Sequence, residues 1–233
     1  IWDSYVLFKP KYSFLLGWAG WSHDGWECNV WNQSNPTQKV AVWKTRPLIK
    51  DEWVHVGCVF NGTFLGLYIN GTLVASNNTV PNYKLQNNTI GCCGDEYFDL
   101  FIGSKNQYAY NNLSWNGTTD DIRIYNRSLS ALEVTDLYNT VTPSGLIGWW
   151  TLDENASKVT DHSNNGFNGS VYRAVYTLSG RVNSAYAFSD NDEPFNHTYI
   201  RINHLSPYVS NTLDFVNGSQ ISYFGWFKSN KDL

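Results

Sequence analysis

Residues 52–76 read EWVHVGCVFNGTFLGLYINGTLVAS, with apolar and polar positions alternating on either side of two Asn-Gly pairs, Asn61-Gly62 and Asn70-Gly71. Asn-Gly accepts the positive φ angles of a tight hairpin turn, so the stretch predicts an antiparallel meander. The rest of the chain extends the same pattern. Aromatic residues make up 16% of it, and Trp, Tyr, Val, Ile and Thr stand in short runs between Gly and Asn, which favours strands over helices. One stretch, SLSALEVTDLYN at residues 128–139, has the character of a short helix. A length of 233 residues is enough for an all-β sandwich with a sizeable core.

Charged residues are sparse at 15% and the net charge is −4, which argues against a nucleic-acid partner. A tryptophan-rich chain with so few charges needs another source of solubility. Twelve Asn-x-Ser/Thr sequons supply a candidate, at Asn32, Asn61, Asn70, Asn77, Asn87, Asn112, Asn116, Asn126, Asn155, Asn168, Asn196 and Asn217. That is about three times the number composition alone would give, and N-linked glycans are bulky and solubilising. The four cysteines, Cys28, Cys58, Cys92 and Cys93, lack zinc-ligand spacing and point to disulfides in an oxidising compartment. A bond between the neighbours Cys92 and Cys93 would be strained, so the expectation is that Cys28 and Cys58 share that pair, in either order. No run of 18 apolar residues is present and no signal peptide precedes Ile1, so the chain reads as a processed or excised part of an exported, cell-surface protein.

The hairpin resembles the "W-x-H-V … G … L-Y-x-N-G" pattern of laminin-G-like, concanavalin A-like sandwiches, through Trp53, His55, Val56, Leu67, Tyr68, Asn70 and Gly71. A second match is longer. Asp120 to Asn126, Leu129, Ser130, Glu133, Leu137 and Tyr138 are similar to the motif that closes such a module. After TVTPSG, the stretches GLIGWWTLDENASKVTDHSNNGFNGSV, GRVNSAYAFSDNDEPFNHTYIRINH and ISYFGWFKSN resemble strands from the front of a module. The resemblance implies an all-β antiparallel jelly-roll sandwich, split across the chain termini. Residues 1–140 would be the C-terminal part of one sandwich, 141–145 a linker, and 146–233 the N-terminal part of the next.

Catalysis finds no support in the sequence. Retaining glycoside hydrolysis needs two carboxylates about 5 Å apart, and none of Glu27, Glu52, Glu96, Glu133, Glu154 and Glu193 stands in the E-x-D-x-x-E spacing that related hydrolases use. The five histidines form no triad or metal pattern. Calcium is the one cofactor the resemblance implies, through Asp161 and Asn164 in DHSNNGFNG together with Asp120 and Asp121; such loops supply the oxygen ligands calcium prefers. Trp18, Trp21, Trp26 and Trp31 in GWAGWSHDGWECNVWN are candidates for a flat sugar-binding platform. Two functions follow as expectations. One is a structural repeat unit of a heavily N-glycosylated extracellular filament or long adhesin, whose copies assemble head to tail by complementing half-domains. The other is a lectin-like carbohydrate-binding module of a larger surface protein.

Overall fold

The computed structural model describes residues 4–9, 14–20, 24–32, 35–80, 83, 85, 99–104, 114–189, 197–202 and 220–232. Two antiparallel sheets pack face to face as a sandwich. The first runs in the order β11 (Lys158–Val159), β12 (Gly169–Tyr172), β15 (Tyr199–Ile202), β8 (Leu100–Ile102), β1 (Ser4–Lys9), β2 (Phe14–Ala19), β3 (Gly25–Asn32), β4 (Asn35–Thr45). The second runs β13 (Val175–Thr177), β14 (Ala185–Phe188), β9 (Gly117–Tyr125), β16 (Ile221–Ser229), β5 (Trp53–Phe60), β6 (Leu65–Ile69), β7 (Thr72–Asn77), with β10 (Leu146–Trp150) paired to β9.

The meander forms as the sequence predicts. Asn70 (φ 49°) and Gly71 (φ 78°) both take positive φ and join β6 to β7 in a two-residue turn. The first Asn-Gly pair instead belongs to a longer loop, in which Asn61 Oδ1 accepts the N–H groups of Thr63 and Phe64.

The order of strands in the second sheet departs from the expected division. β16 lies between β5 and β9, paired along its length with both. β14 and β10 pair with opposite ends of β9, and β15 and β12 extend the first sheet from β8. Strands β10 to β16, which lie in the 146–233 segment that the sequence reading assigns to a following sandwich, here complete the sandwich begun by β1 to β9 of the same chain. A short connector is enough because α1, which follows β9, packs on the second sheet, and β10 then pairs with β9 itself.

Alternation decides what is buried between the sheets. Trp18, Trp26, Cys28 and Val30 of the first sheet meet Val56, Cys58, Phe60, Ile122, Ile124, Tyr223 and Phe227 of the second. A second apolar layer forms on the outer face of the second sheet, where α1 (Ala131–Tyr138) lays Val134 and Leu137 over Val59, Tyr125 and Phe224. The helix starts at a capping box in which Ser130 and Glu133 satisfy each other's backbone N–H groups. Gly57 is required beneath this layer, since a Cβ there would come within 1.9 Å of the Phe224 ring.

Cys28 of β3 and Cys58 of β5 form a disulfide that ties one sheet to the other. This corrects the expected pairing of each with Cys92 or Cys93, which lie outside the described residues. Both side chains point inward from facing strands, with Cα atoms 6.0 Å apart, inside the range a disulfide spans. The bond closes a 30-residue separation, for which chain entropy gives a stabilisation of about 3–4 kcal/mol. Replacing both cysteines by alanine is expected to lower the unfolding free energy by about that amount; denaturant melts of the two proteins measure it, and an unchanged midpoint would contradict it.

Candidate functional site

A cleft opens on the outer face of the second sheet, beside the end of α1, with a volume of about 280 Å³. A bulge in β9 creates it. β16 pairs Phe224 with Arg123 and then Trp226 with Asp120, so Asp121 and Ile122 together oppose Gly225. Asp121 takes up the extra residue at φ 51°. Without the bulge, the period of two would turn Asp120 inward with Ile122 and Ile124. With it, Asp120 faces outward next to Trp226.

Each wall has a tryptophan held by an arginine. The Arg123 guanidinium lies 4.7 Å from the Trp149 ring centre, and that of Arg181 lies 4.5 Å from Trp226. Trp149 donates its indole N–H to Asp121 Oδ1 at 2.6 Å, and Asp121 is also ion-paired with Arg123 at 3.1 Å. Asp153 accepts from the backbone N–H and hydroxyl of Ser184. Behind Trp226, the His55 ring packs 5.0 Å from it and stacks on Phe224.

Asp120 is fully buried at the base of the cleft. Its Oδ2 accepts the N–H groups of Arg181 and Val182 at 2.8 and 2.9 Å, while Oδ1 has no hydrogen-bond partner. Burial raises its carboxyl to about 7, and the two N–H bonds, which favour the charged form, offset only part of that. His55 moves the other way, to about 3, because burial and the nearby Arg123 both disfavour its charged form.

The residues expected to hold calcium are not gathered into one cage. Asp161 accepts from Trp149 N–H and Ser163 N–H on Oδ1, and from Ser163 Oγ–H and Phe167 N–H on Oδ2. The loop is thus folded around this carboxylate by N–H and O–H donors, an Asx-turn arrangement that leaves it poorly suited to a cation. Asn164 is exposed on the same loop, while Asp120 and Asp121 are engaged as described above. Among the described residues no group of three or more His, Cys, Asp or Glu side chains could hold a metal ion.

The expected tryptophan platform also needs correction. Trp18 and Trp26 are each 1% exposed and pack in the core between the two sheets. Trp31 is half-buried at the end of β3, and Trp21 lies outside the described residues. The tryptophans at the cleft, Trp149 and Trp226, were missed. The signal was present in the Trp149-Trp150 pair, since alternation can bury only one: Trp150 is fully buried and bonds the Phe167 carbonyl, and Trp149 faces the cleft.

The described sequon asparagines are all accessible. Asn61, Asn126, Asn155 and Asn168 are exposed and Asn32, Asn70, Asn77 and Asn116 partly so; Asn87, Asn112, Asn196 and Asn217 lie outside the described residues.

The laminin G family model described as the concanavalin A-like lectin/glucanases superfamily matches residues 2–135, more than half of the chain. The chain belongs to this laminin-G-like, concanavalin A-like family. Its matched part covers the first strands through β9 and most of α1, and the strands that complete the sandwich follow it in sequence. No curated protein and no solved structure gives a significant match. No helix among the described residues is long and apolar enough to cross a membrane.

The two buried titrating groups make a signed prediction. Between about pH 4 and 7 folded Asp120 keeps a proton that the unfolded chain has lost, so its contribution to stability falls as pH rises through that window. His55 is neutral when folded but protonates below about 6.5 when unfolded, so its contribution falls as pH drops from 6.5 toward 3. Asp120→Asn removes the first effect and leaves the second. Raising the pH from 4 to 8 should shift the stability difference in the variant's favour by roughly 2–4 kcal/mol, at about 1.4 kcal/mol per pKa unit. Urea melts across that range check it; a pH-independent difference would contradict it.

Proposed function

We propose that the chain is a lectin-like, non-catalytic carbohydrate-binding module of an extracellular N-glycosylated protein. The observation that carries this reading is the cleft lined by the part-exposed Trp149 and the largely buried Trp226, in which indole rings covered by arginine guanidinium groups stand beside carboxylate acceptors. Sugars present both apolar ring faces and hydroxyl groups, and a small apolar pocket with a few placed polar groups matches them. Family membership, the inter-sheet disulfide and the accessible sequons support an extracellular setting. A glycan array probed with the intact chain should show a selective set of bound glycans. Uniformly background signal would contradict the reading.

A second reading keeps copies of the chain as partners in a linear filament. What favours it is the way β16 is held: the slot between β5 and β9 can be filled by β16 of the same chain or of a neighbouring copy with the same hydrogen bonds. Electron micrographs of the native material distinguish the two, since regular fibres belong to this reading and dispersed particles to the first. In either setting glycans would occupy most of the eight described sequons, and glycopeptide mapping that found the majority unmodified would contradict that.

A further inference from the structure

The cleft carries more detail than a general sugar site, and this inference rests on the lectin-like reading above. At about 280 Å³ it falls just under the range of roughly 300–1,000 Å³ typical for larger ligands, which suits one ring held within it. Its base is a buried carboxylate with one oxygen committed to Arg181 and Val182 and the other unpartnered. A buried acceptor left without a donor costs about 1–3 kcal/mol, and a ligand hydroxyl that displaces the side chains covering Oδ1 would relieve that cost. The charges around it are Asp120, Asp121 and Asp153 against Arg123 and Arg181, with Arg123 already neutralised by Asp121. Above about pH 7, where Asp120 is ionised, the excess of carboxylates disfavours an anionic ligand.

We propose that this cleft binds a single neutral sugar ring at the end of a glycan, seated between Trp149 and Trp226, with one ring hydroxyl donating to Oδ1 of Asp120. Asp120 is then the residue that selects the sugar by the orientation of that hydroxyl, because an epimer would leave Oδ1 unpaired.

The test is isothermal titration of the intact chain at about pH 8, where Asp120 is ionised, with methyl glycosides of neutral hexoses and N-acetylhexosamines and with a uronic acid, alongside the glycan array. Three proteins are compared: the parent, Asp120→Asn, and Thr151→Trp, which fills the cleft from its rim. Circular dichroism and thermal melts establish that each variant is folded. The expected result is binding of at least one neutral methyl glycoside, no binding of the uronic acid, a tenfold or greater loss in Asp120→Asn, and loss of binding in Thr151→Trp. Array binding that persists unchanged in both variants would overturn the site while leaving the lectin-like reading in place. Binding confined to the uronic acid would overturn the proposed ligand class. No glycan binding by the parent in either assay would overturn the lectin-like reading itself.

Discussion

Everything in the second sheet depends on β16 entering between β5 and β9. Eight residue pairs join it to β5 and seven join it to β9, and removing it would leave two long strands with unpaired edges at the centre of the sandwich. Its inward side chains Ile221, Tyr223 and Phe227 belong to the core, and its outward Phe224 carries the layer under α1. One strand therefore contributes to both apolar layers. Gly57 of β5 and Gly225 of β16 itself are the local conditions for this, the first leaving space for the Phe224 ring and the second standing opposite the bulge.

The bulge links that packing to the cleft. A single extra residue in β9 reverses the facing of Asp120, and a carboxylate that would have stood in the apolar core instead holds the loop at Arg181 and Val182. The same loop brings Arg181 over Trp226, and β10, pairing with β9 beyond the bulge, brings Trp149 alongside. The site is thus built from strands far apart in sequence, on a rigid sheet. Its unusual feature is a buried carboxyl raised to about 7, set against a buried imidazole lowered to about 3 within the same aromatic layer.

Much of the fold was legible in the sequence because its signals are local. The Asn70-Gly71 turn, the alternation of β5 and β6 and the capping box of α1 each depend on residues a few positions apart. Position in space was less legible. Alternation alone could have sent Trp18 and Trp26 to either face, and only the partner sheet shows that they are core. The disulfide was misassigned because cysteine spacing excludes few pairings, whereas the facing of β3 and β5 selects one. Asp120 and Asp121 were singled out as a motif, but their separate tasks follow from a register shift that no sequence period reveals. Trp226 faces outward by the unbroken alternation of β16 against β5, and the shift in β9 is what sets Asp120 beside it.

Closure of one sandwich by one chain is the claim on which the rest stands, and native-state hydrogen exchange on dilute protein tests it most directly. If β16 is an integral central strand, the amides of Tyr223, Phe224 and Phe227 should exchange as slowly as those of Val56 and Cys58 in β5 and Ile124 in β9, all opening together with global unfolding. Fast exchange along β16 while β5 and β9 stay protected would contradict the account, because it would place β16 outside the sheet of its own chain.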